Sequence, residues 1–280
     1  MRTLEATELG RLAEDICLEI STVLPADVVA SLSRYRDEEQ SASGRGVLDR
    51  ILENALVAGE LSVPLCQDTG VFTVYLTMGR ETCLRGDLNA EVTSAVARAT
   101  KRGALRPSVV RAPLDERANT GDNTPPLVRV GFAPGESTSL AVMASGGGSE
   151  MSSRLAMLPP GAGWEGVLKY VVDVTAEVGP HSCPPLVLGV GVGGSFDTAP
   201  MLAKKALLAP LDRESPDPVT ADRERLLVEA VNRLGIGPGA LGGTITCIGA
   251  RLDQAPCHMA NLPVAVSVSC HALRRKVMPV

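Results

Sequence analysis

The sequence has few aromatic residues and few histidines. Phe, Trp and Tyr together make up 2% of the 280 residues, and the chain has three histidines. A core of this size must therefore be built mainly from Leu, Val, Ala and Ile. The apolar fraction of 45% and the charged fraction of 21% are otherwise ordinary for a globular protein.

The sequence also lacks an excess of positive charge, a long apolar run and closely spaced cysteines. The net charge of −5, with no stripe rich in Lys and Arg, argues against a nucleic-acid partner. No run approaches the ~20 apolar residues of a membrane span, and the acidic start does not have the pattern of a signal peptide. The seven cysteines are at least ten residues apart, which excludes a CxxC pair and fits a disulfide framework poorly. We therefore expect a chain of the reducing cytoplasm that has no membrane partner.

The apolar periodicity predicts an α/β protein with mixed α and β elements. Amphipathic spacing indicates helices at 4–23, 27–40 and 45–59, and strands and helices alternate after Pro64. We expect one domain over 1–280, with a helical lead-in at 1–60 followed by a mixed sheet with flanking helices at 61–280. The predicted strands are 71–78, 128–132, 139–144, 186–192 and 264–269, and the later helices are 87–102, 164–178, 197–209 and 220–234.

Three cysteines lie in turn-forming surroundings. Cys66 lies in Pro-Leu-Cys-Gln-Asp-Thr-Gly, Cys183 in Ser-Cys-Pro-Pro and Cys270 in Val-Ser-Cys-His-Ala. A structural cysteine is normally a small apolar core residue, whereas a turn can present a thiolate to a metal. Three thiolates would leave one iron of a four-iron cluster open for chemistry. Spacing alone does not reject Cys247 and Cys257 as ligands, and a zinc site is a further alternative.

Several polar motifs accompany these cysteines, and each has a structural alternative. Gln67 and Asp68 either face a polar substrate or belong to a helix-to-strand turn. The polar loop 119–125 follows Arg106, which can clamp a carboxylate. The glycines at 146–148 offer amides to an anion, and no P-loop signature follows them.

Two histidines and one glycine run carry less specific signals. His258 and His271 are each either an acid–base group or a histidine satisfied by a backbone carbonyl. The glycines of Gly189–Gly194 lack the spacing and the acidic residue of a dinucleotide site. We expect them instead to allow close backbone approach beside Cys183.

Taken together, the motifs resemble the class I, iron–sulfur-dependent fumarase and L-tartrate dehydratase family. The match covers Pro64 to the C-terminus in the family's order. It includes the Cys66 segment, Arg106 with the loop 119–125, Gly-Gly-Gly-Ser-Glu at 146–150, Met-Leu-Pro-Pro at 157–160, Ser-Cys-Pro-Pro at 182–185, Gly-Val-Gly-Gly-Ser at 191–195, Leu-Gly-Gly-Thr at 241–244, and His258 leading to Cys270.

The resemblance implies a cofactor and a set of roles. It places a 4Fe–4S cluster on Cys66, Cys183 and Cys270, and argues against Cys247 and Cys257. The open iron would be a Lewis acid for a substrate oxygen. Asp68 and His258 would be catalytic, and Gln67, Arg106 and Gly147 would bind a small dicarboxylate.

The length of the chain implies a partner. Single-chain members of the family continue beyond the third cysteine segment, whereas this chain ends at Val280, as an α subunit of the two-subunit form does. We expect it to need a β subunit, to form a heterotetramer, and to hydrate fumarate to malate. L(+)-tartrate dehydration to oxaloacetate is the second candidate reaction.

A non-catalytic iron–sulfur or anion-binding subunit is the alternative from another class. The joint presence of Asp68, Arg106 and His258 disfavours it, because a scaffold needs the cysteines but not these three residues.

Overall fold

The computed structural model describes residues 2–280, which form two compact units. The first unit comprises the residues up to 25, together with 55–147 and 274–280, and the second comprises 26–54 and 148–273. The mixture of helices and mixed sheets confirms the predicted α/β class. The expectation of one domain over 1–280 stays a prediction.

The helices and strands follow one another in this order. The helices are α1 Ala6–Thr22, α2 Ala26–Glu38, α3 Ala42–Leu61, α4 Leu88–Arg102, α5 Gly147–Ser152, α6 Gly163–Val178, α7 Thr198–Ala206 and α8 Pro218–Asn232. The strands are β1 Arg2–Glu5, β2 Val71–Gly79, β3 Thr82–Arg85, β4 Leu127–Ala133, β5 Ser139–Ser145, β6 Arg154–Leu158, β7 Leu186–Gly193, β8 Cys247–Ala255, β9 Leu262–Ser269 and β10 Arg274–Pro279.

The first unit is built on a four-stranded sheet in the order β10-β5-β2-β4. β2 pairs antiparallel with β5 and parallel with β4, and β10 pairs antiparallel with β5. Helices α1 and α4 pack against this sheet and share one aliphatic core with it, which includes Ile16, Val96 and Phe72. Asp87 caps α4 by accepting from the amide of Ala90 at 3.0 Å.

The second unit is built on a four-stranded sheet in the order β6-β9-β7-β8. Its core joins α6 and α8 to the sheet, and α7 packs closely on β7. A Cβ atom on Gly189 or Gly191 would lie 2.1 Å from the carbonyl oxygen of Ala203 or Ala199 in α7. The expected close backbone approach at these glycines is therefore confirmed, and the backbone that approaches Gly189 and Gly191 is that of α7.

Each helix and strand predicted by periodicity is present within a few residues of its expected bounds. The sequence did not predict β1, β3, β6, β8, β10 or the short helix α5. In the turn expected at 146–148, Gly146 precedes α5 and Gly147 and Gly148 begin it.

One stretch has the length and apolar character of a membrane span. It covers Ala6–Glu38, where the sequence analysis expected none, and just under half of its apolar window is buried. The stretch consists of α1 and α2, and the buried face of α1 belongs to the core of the first unit. A core helix of this kind passes the same test, so the finding is weak support for a membrane span.

Candidate functional site

The polar motifs of the first unit lie at one end of its sheet. Val71 at the start of β2 pairs with Ser145 at the end of β5, and Arg274 opens β10 at the same end. The segment 66–70 leads into β2 and the glycines 146–148 follow β5. Antiparallel pairing places the start of one strand beside the end of its neighbour, so the two motifs meet there.

The Asp68 carboxylate is held by three hydrogen bonds at this end. One oxygen, Oδ1, accepts from the amide of Gly70 at 2.9 Å and from the hydroxyl of Ser108 at 3.2 Å. The other oxygen, Oδ2, accepts from the amide of Gly147 at 2.7 Å. Asp68 is half-buried, so the carboxylate is both fixed in orientation and accessible.

Two glycines make this arrangement sterically feasible. Gly70 has φ +77°, and a Cβ there would lie 2.2 Å from the carbonyl oxygen of Ser145. A Cβ on Gly146 would lie 2.9 Å from Asp68 Oδ2. Any side chain at either position would displace the strand end or the carboxylate.

A buried arginine lies beside the same turn. Arg274 is only 4% exposed, and its Nη2 atom lies 3.8 Å from the position that a Cβ on Gly146 would occupy. Within residues 2–280 its Nε atom has no hydrogen-bond partner. Arg274 was not among the predicted site residues, because it follows the last motif and opens a run of three basic residues.

The loop 119–125 positions the segment that carries Arg106. Asn123 is fully buried, and its Oδ1 accepts from the amide of Ser108 at 2.6 Å. Its Nδ2 donates to the carbonyl of Arg106 at 3.1 Å and to the hydroxyl of Thr100 at 3.2 Å. The motif therefore fixes the backbone from which the exposed Arg106 side chain extends.

Cys66 lies two residues before Asp68 and is half-buried. Its sulfur accepts from the amide of Asp68 at 3.4 Å, and the neighbouring Gln67 is exposed. Backbone amides directed at a sulfur are a feature of thiolates that hold iron–sulfur clusters. The turn therefore presents a thiol, an amide side chain and a carboxylate together.

Cys183 and Cys270 lie together at one end of the sheet in the second unit. Cys183 precedes β7 and Cys270 follows β9, and Val187 pairs with Ser269 at that end. His271 Nδ1 donates to the carbonyl of Cys183 at 3.1 Å, which ties the two cysteine segments together. Burial lowers the pKa of His271, and the hydrogen bond to the Cys183 carbonyl opposes that shift.

The structure does not bring His258 to these cysteines. His258 follows β8, whose last residue Ala255 pairs with Gly193 at the far end of β7. β7 is eight residues long, which corresponds to roughly 23 Å between its ends. His258 is exposed, and its Nδ1 accepts from the amide of Ala260 at 3.1 Å. Its catalytic role stays a prediction, without Cys183 and Cys270 of its own chain nearby.

The other cysteines differ from the three predicted ligands in their surroundings. Cys17 and Cys247 are buried, and burial raises the pKa of both thiols, that of Cys247 to about 12. Cys247 donates to the carbonyl of Gly249 at 3.2 Å. Cys257 is exposed but lies at the same end of the sheet as His258. Cys83 lies in β3, away from the motifs.

The predicted ligands are divided between the units. Cys66 belongs to the first unit, and Cys183 and Cys270 belong to the second. Across residues 2–280, no three side chains of His, Cys, Asp or Glu form a ready site for a single metal ion.

A family model described as fumarate hydratase (Fumerase) matches residues 11–278. The chain belongs to this family. The assignment confirms the resemblance drawn from the motifs and identifies the chain as a hydro-lyase.

Individual members of the family match along most of their length. A relative from Methanocaldococcus jannaschii is 38% identical over 265 residues, which cover 92% of this chain and 93% of the relative. The L(+)-tartrate dehydratase subunit alpha of Escherichia coli strain UTI89 is 35% identical over 277 residues, or 98% of this chain and 91% of that protein. The protein of the same name from Escherichia coli strain K12 is 35% identical over 272 residues, covering 96% and 89%.

Four residues that support the site were not among the site residues predicted from the sequence. Each of them hydrogen-bonds to, or lies beside, a segment that carries a predicted site residue of this chain: Ser108, Asn123, Arg274 and His271. Asn123 lay within a motif that the sequence singled out, but nothing in the sequence assigned its partners. For His271, a backbone carbonyl was one of the two predicted roles, and the carbonyl of Cys183 is that partner. Ser108 and Arg274 had no sequence signal, because their contacts span 40 residues or more.

Proposed function

We propose that the chain is the α subunit of a two-subunit iron–sulfur hydro-lyase acting on a four-carbon dicarboxylate. The observation that carries the proposal is the Asp68 carboxylate, which is held by three donors two residues after the half-buried Cys66. The relatives from Escherichia coli are each named as a subunit alpha, which supports a second chain in the active enzyme. We further propose two copies of each chain in the assembly, and a cytoplasmic location.

The cysteines of the two units fit a 4Fe–4S cluster by their chemistry. The Asp68 amide directed at the Cys66 sulfur and the exposure of Cys183 suit thiolate ligands, whereas the buried Cys247 thiol does not. Cys66, Cys183 and Cys270 would hold the cluster. When bound, it would supply a Lewis-acidic iron for a substrate oxygen.

The polar residues of the first unit would bind the substrate and move a proton. Arg106 extends an exposed guanidinium that can pair with a substrate carboxylate through two parallel hydrogen bonds. Gln67 offers an exposed amide. The amide of Gly147 donates to Asp68 Oδ2, so Gly147 would bind a substrate carboxylate through this amide only by exchanging that hydrogen bond. Asp68, oriented through both oxygens, would take or give the proton at the substrate carbon.

The position of His258 limits its role. Roughly 23 Å separate the two ends of β7, and His258 lies at the end away from Cys183 and Cys270 of its own chain. We therefore propose its role in proton transfer only toward a substrate held by another copy of the chain.

Two substrates remain in the proposal, in the order that the sequence suggested. Hydration of fumarate to malate comes first, and the family model carries that name. Dehydration of L(+)-tartrate to oxaloacetate is the second, supported by the names of the Escherichia coli relatives. Malate and tartrate differ by one hydroxyl, and a site that binds this hydroxyl discriminates by roughly 10⁴-fold or more.

The test is anaerobic purification of the chain with its co-expressed β partner, followed by iron and sulfide analysis. We expect about four irons per α chain, lost on substitution of Cys66, Cys183 or Cys270 by Ala. Cys257→Ala is the matched control, because Cys257 is also an exposed free cysteine. Retention of the iron in all three variants, or its loss in the control, would contradict the ligand assignment.

Activity is then measured on the same preparations with fumarate and with L(+)-tartrate. We expect turnover by the complex and none by the α chain alone. Turnover by the reconstituted α chain alone would refute the need for a partner, and the ratio of kcat/KM for the two substrates would decide between them.

A further inference from the structure

We propose that Arg274 binds one carboxylate of the substrate at the Gly146 turn, as the second cation of the site beside Arg106. The proposal rests on the proposed function, because it assigns a further ligand-binding residue to the same site. Arg274 opens β10, the edge strand that pairs with β5. No motif of the sequence assigned it a role.

Arg274 is buried because of its place in the sheet. It pairs with Ala144 of β5, and Ala144 pairs with Phe72 of β2. Directly paired residues project from the same face of a sheet, so these three residues form one row. Phe72 and Ala144 belong to the core that the sheet shares with α1 and α4. Arg274 therefore lies on the core face, where it is 4% exposed.

The guanidinium of Arg274 has no counter-ion in the described chain. Its Nε atom has no hydrogen-bond partner, and within residues 2–280 no ion pair involves its terminal nitrogens. Arg251, the largely buried arginine of β8, is by contrast paired with Glu224 at 2.8 Å. A guanidinium stays charged in proteins, and burial of an unpaired charge is costly. An anion from outside the described chain would supply the missing partner.

The absence of a side chain at Gly146 leaves space between Arg274 and Asp68. The three atoms nearest to an ideal Cβ on Gly146 are Asp68 Oδ2 at 2.9 Å, Asp68 Cγ at 3.6 Å and Arg274 Nη2 at 3.8 Å. Gly146 is half-buried and Gly147 is exposed, so this space adjoins the surface. A ligand that enters at the turn therefore meets the carboxylate and the guanidinium together.

Arg106 and Arg274 flank Asp68 on the sides of its two oxygens. On the Oδ1 side, the Ser108 hydroxyl donates to Asp68 at 3.2 Å and lies 3.3 Å from the carbonyl of Arg106. On the Oδ2 side lie the Gly146 turn and Arg274. A four-carbon dicarboxylate has a carboxylate at each end and its reacting carbons between them. One carboxylate pairs with each arginine, and Asp68 lies between the two cations.

This arrangement makes Arg274 a specificity-determining residue for dicarboxylates. A monocarboxylate leaves one of the two arginines unpaired. An unpaired charge costs more free energy at the buried Arg274 than at the exposed Arg106. A monocarboxylate therefore pairs with Arg274 only by giving up Arg106, whereas a dicarboxylate satisfies both.

The test compares the binding of succinate and butyrate to the anaerobically prepared complex of the chain with its β partner. Succinate is an unreactive four-carbon dicarboxylate, and butyrate lacks one of its carboxylates. Isothermal titration calorimetry gives both dissociation constants. We expect the wild type to prefer succinate, and Arg274→Gln to reduce this preference at least about 10-fold, as loss of one charge-assisted contact implies.

Two further variants control for folding. Arg274→Lys keeps the charge but loses the planar fork of donors, so it should retain part of the preference even if Arg274→Gln does not fold. Arg98→Gln removes another arginine of the first unit, which pairs with Glu14 instead, and it should keep the wild-type preference. Circular dichroism and co-purification with the β partner show whether each variant is folded.

The pair of ligands separates a binding role from a structural one. Structural damage weakens both ligands equally, whereas loss of a carboxylate contact lowers the preference for succinate. An unchanged preference in the folded Arg274→Gln and Arg274→Lys complexes would overturn the role of Arg274 and leave the proposed function intact. So would an equal weakening of both ligands. A wild-type complex that does not prefer succinate would contradict the proposed dicarboxylate substrate itself.

Discussion

Each unit of the molecule holds a carboxylate with backbone amides, and the two carboxylates differ in burial. Asp68 in the first unit accepts from two glycine amides and one hydroxyl and is half-buried. Glu39 in the second unit is 1% exposed. It accepts at 2.7–3.0 Å from three amides, those of Ser41, Thr244 and Ile245.

The comparison shows that a carboxylate held by backbone amides can serve either as a buried structural charge or as an accessible polar group. Burial would raise the pKa of Glu39, but the amides of Thr244, Ser41 and Ile245 hold the pKa below its usual value. Glu39 is thereby a fixed charge that ties the start of α3 to the loop before β8. The same kind of bonding leaves Asp68 accessible at a sheet end, as its proposed role in proton transfer requires.

The largest effect should come from Asp68→Asn. Replacing the carboxylate removes the proposed proton-transfer group while the shape is kept, so we expect kcat of the complex to fall at least about 100-fold. The measurement is steady-state turnover with a loaded cluster, and Asp115→Asn in an exposed loop is the control. Activity within a few-fold of wild type would remove Asp68 from the mechanism.

Glu39→Gln should change stability instead. In Gln, one of the two accepting oxygens becomes an NH2 group that faces backbone amide donors, and we expect a loss of about 2 kcal/mol in the free energy of unfolding at pH 7. Because the folded pKa of Glu39 lies below its ordinary value of 4.5, its stabilisation is present above that pH and is lost as the pH falls.

Urea unfolding of the full chain at pH 7 and at pH 4 measures this prediction. The difference between wild type and Glu39→Gln should shrink at the lower pH. Glu38→Gln is the control, because the Glu38 side chain is 55% exposed. A difference that does not change with pH, or an equal loss in the control, would contradict the account of Glu39.

The smallest effect should come from Gly146→Ala. Its Cβ would lie 2.9 Å from Asp68 Oδ2 and would push the carboxylate aside, so we expect kcat to fall about 10-fold. Gly148→Ala is the matched control, since a Cβ there meets nothing within 4 Å. Equal turnover in the two variants would show that the position of the Asp68 carboxylate does not limit the rate.

The sequence predicted those elements whose residues follow a simple apolar period. β2, β5, β7 and β9 are interior strands with nearly continuous apolar runs, and all four were predicted. β8 and β10 were missed because they are edge strands with charged residues, and β10 begins with three basic residues. Their pairing is decided by neighbours far away in the sequence.

The residues of the candidate site show the same contrast between local signals and long-range contacts. The motifs located Asp68, Arg106 and the cysteines, because turn-forming residues around polar groups are visible in a short window. Ser108, which donates to Asp68, lies 40 positions from it in the sequence, and Arg274 lies 128 positions from Gly146, whose turn it flanks. No local pattern encodes such long-range proximity. The distance of His258 from Cys183 and Cys270 became visible only with the strand directions.

The divided first unit has a consequence for the order of folding during synthesis. β10 pairs with β5, yet residues 148–273 of the second unit are made between them. During translation, the edge of β5 that pairs with β10 therefore stays unpaired until residues 148–273 have been made. Arg274, which lies beside the Gly146 turn, arrives with β10, so the polar end of the first sheet is completed last.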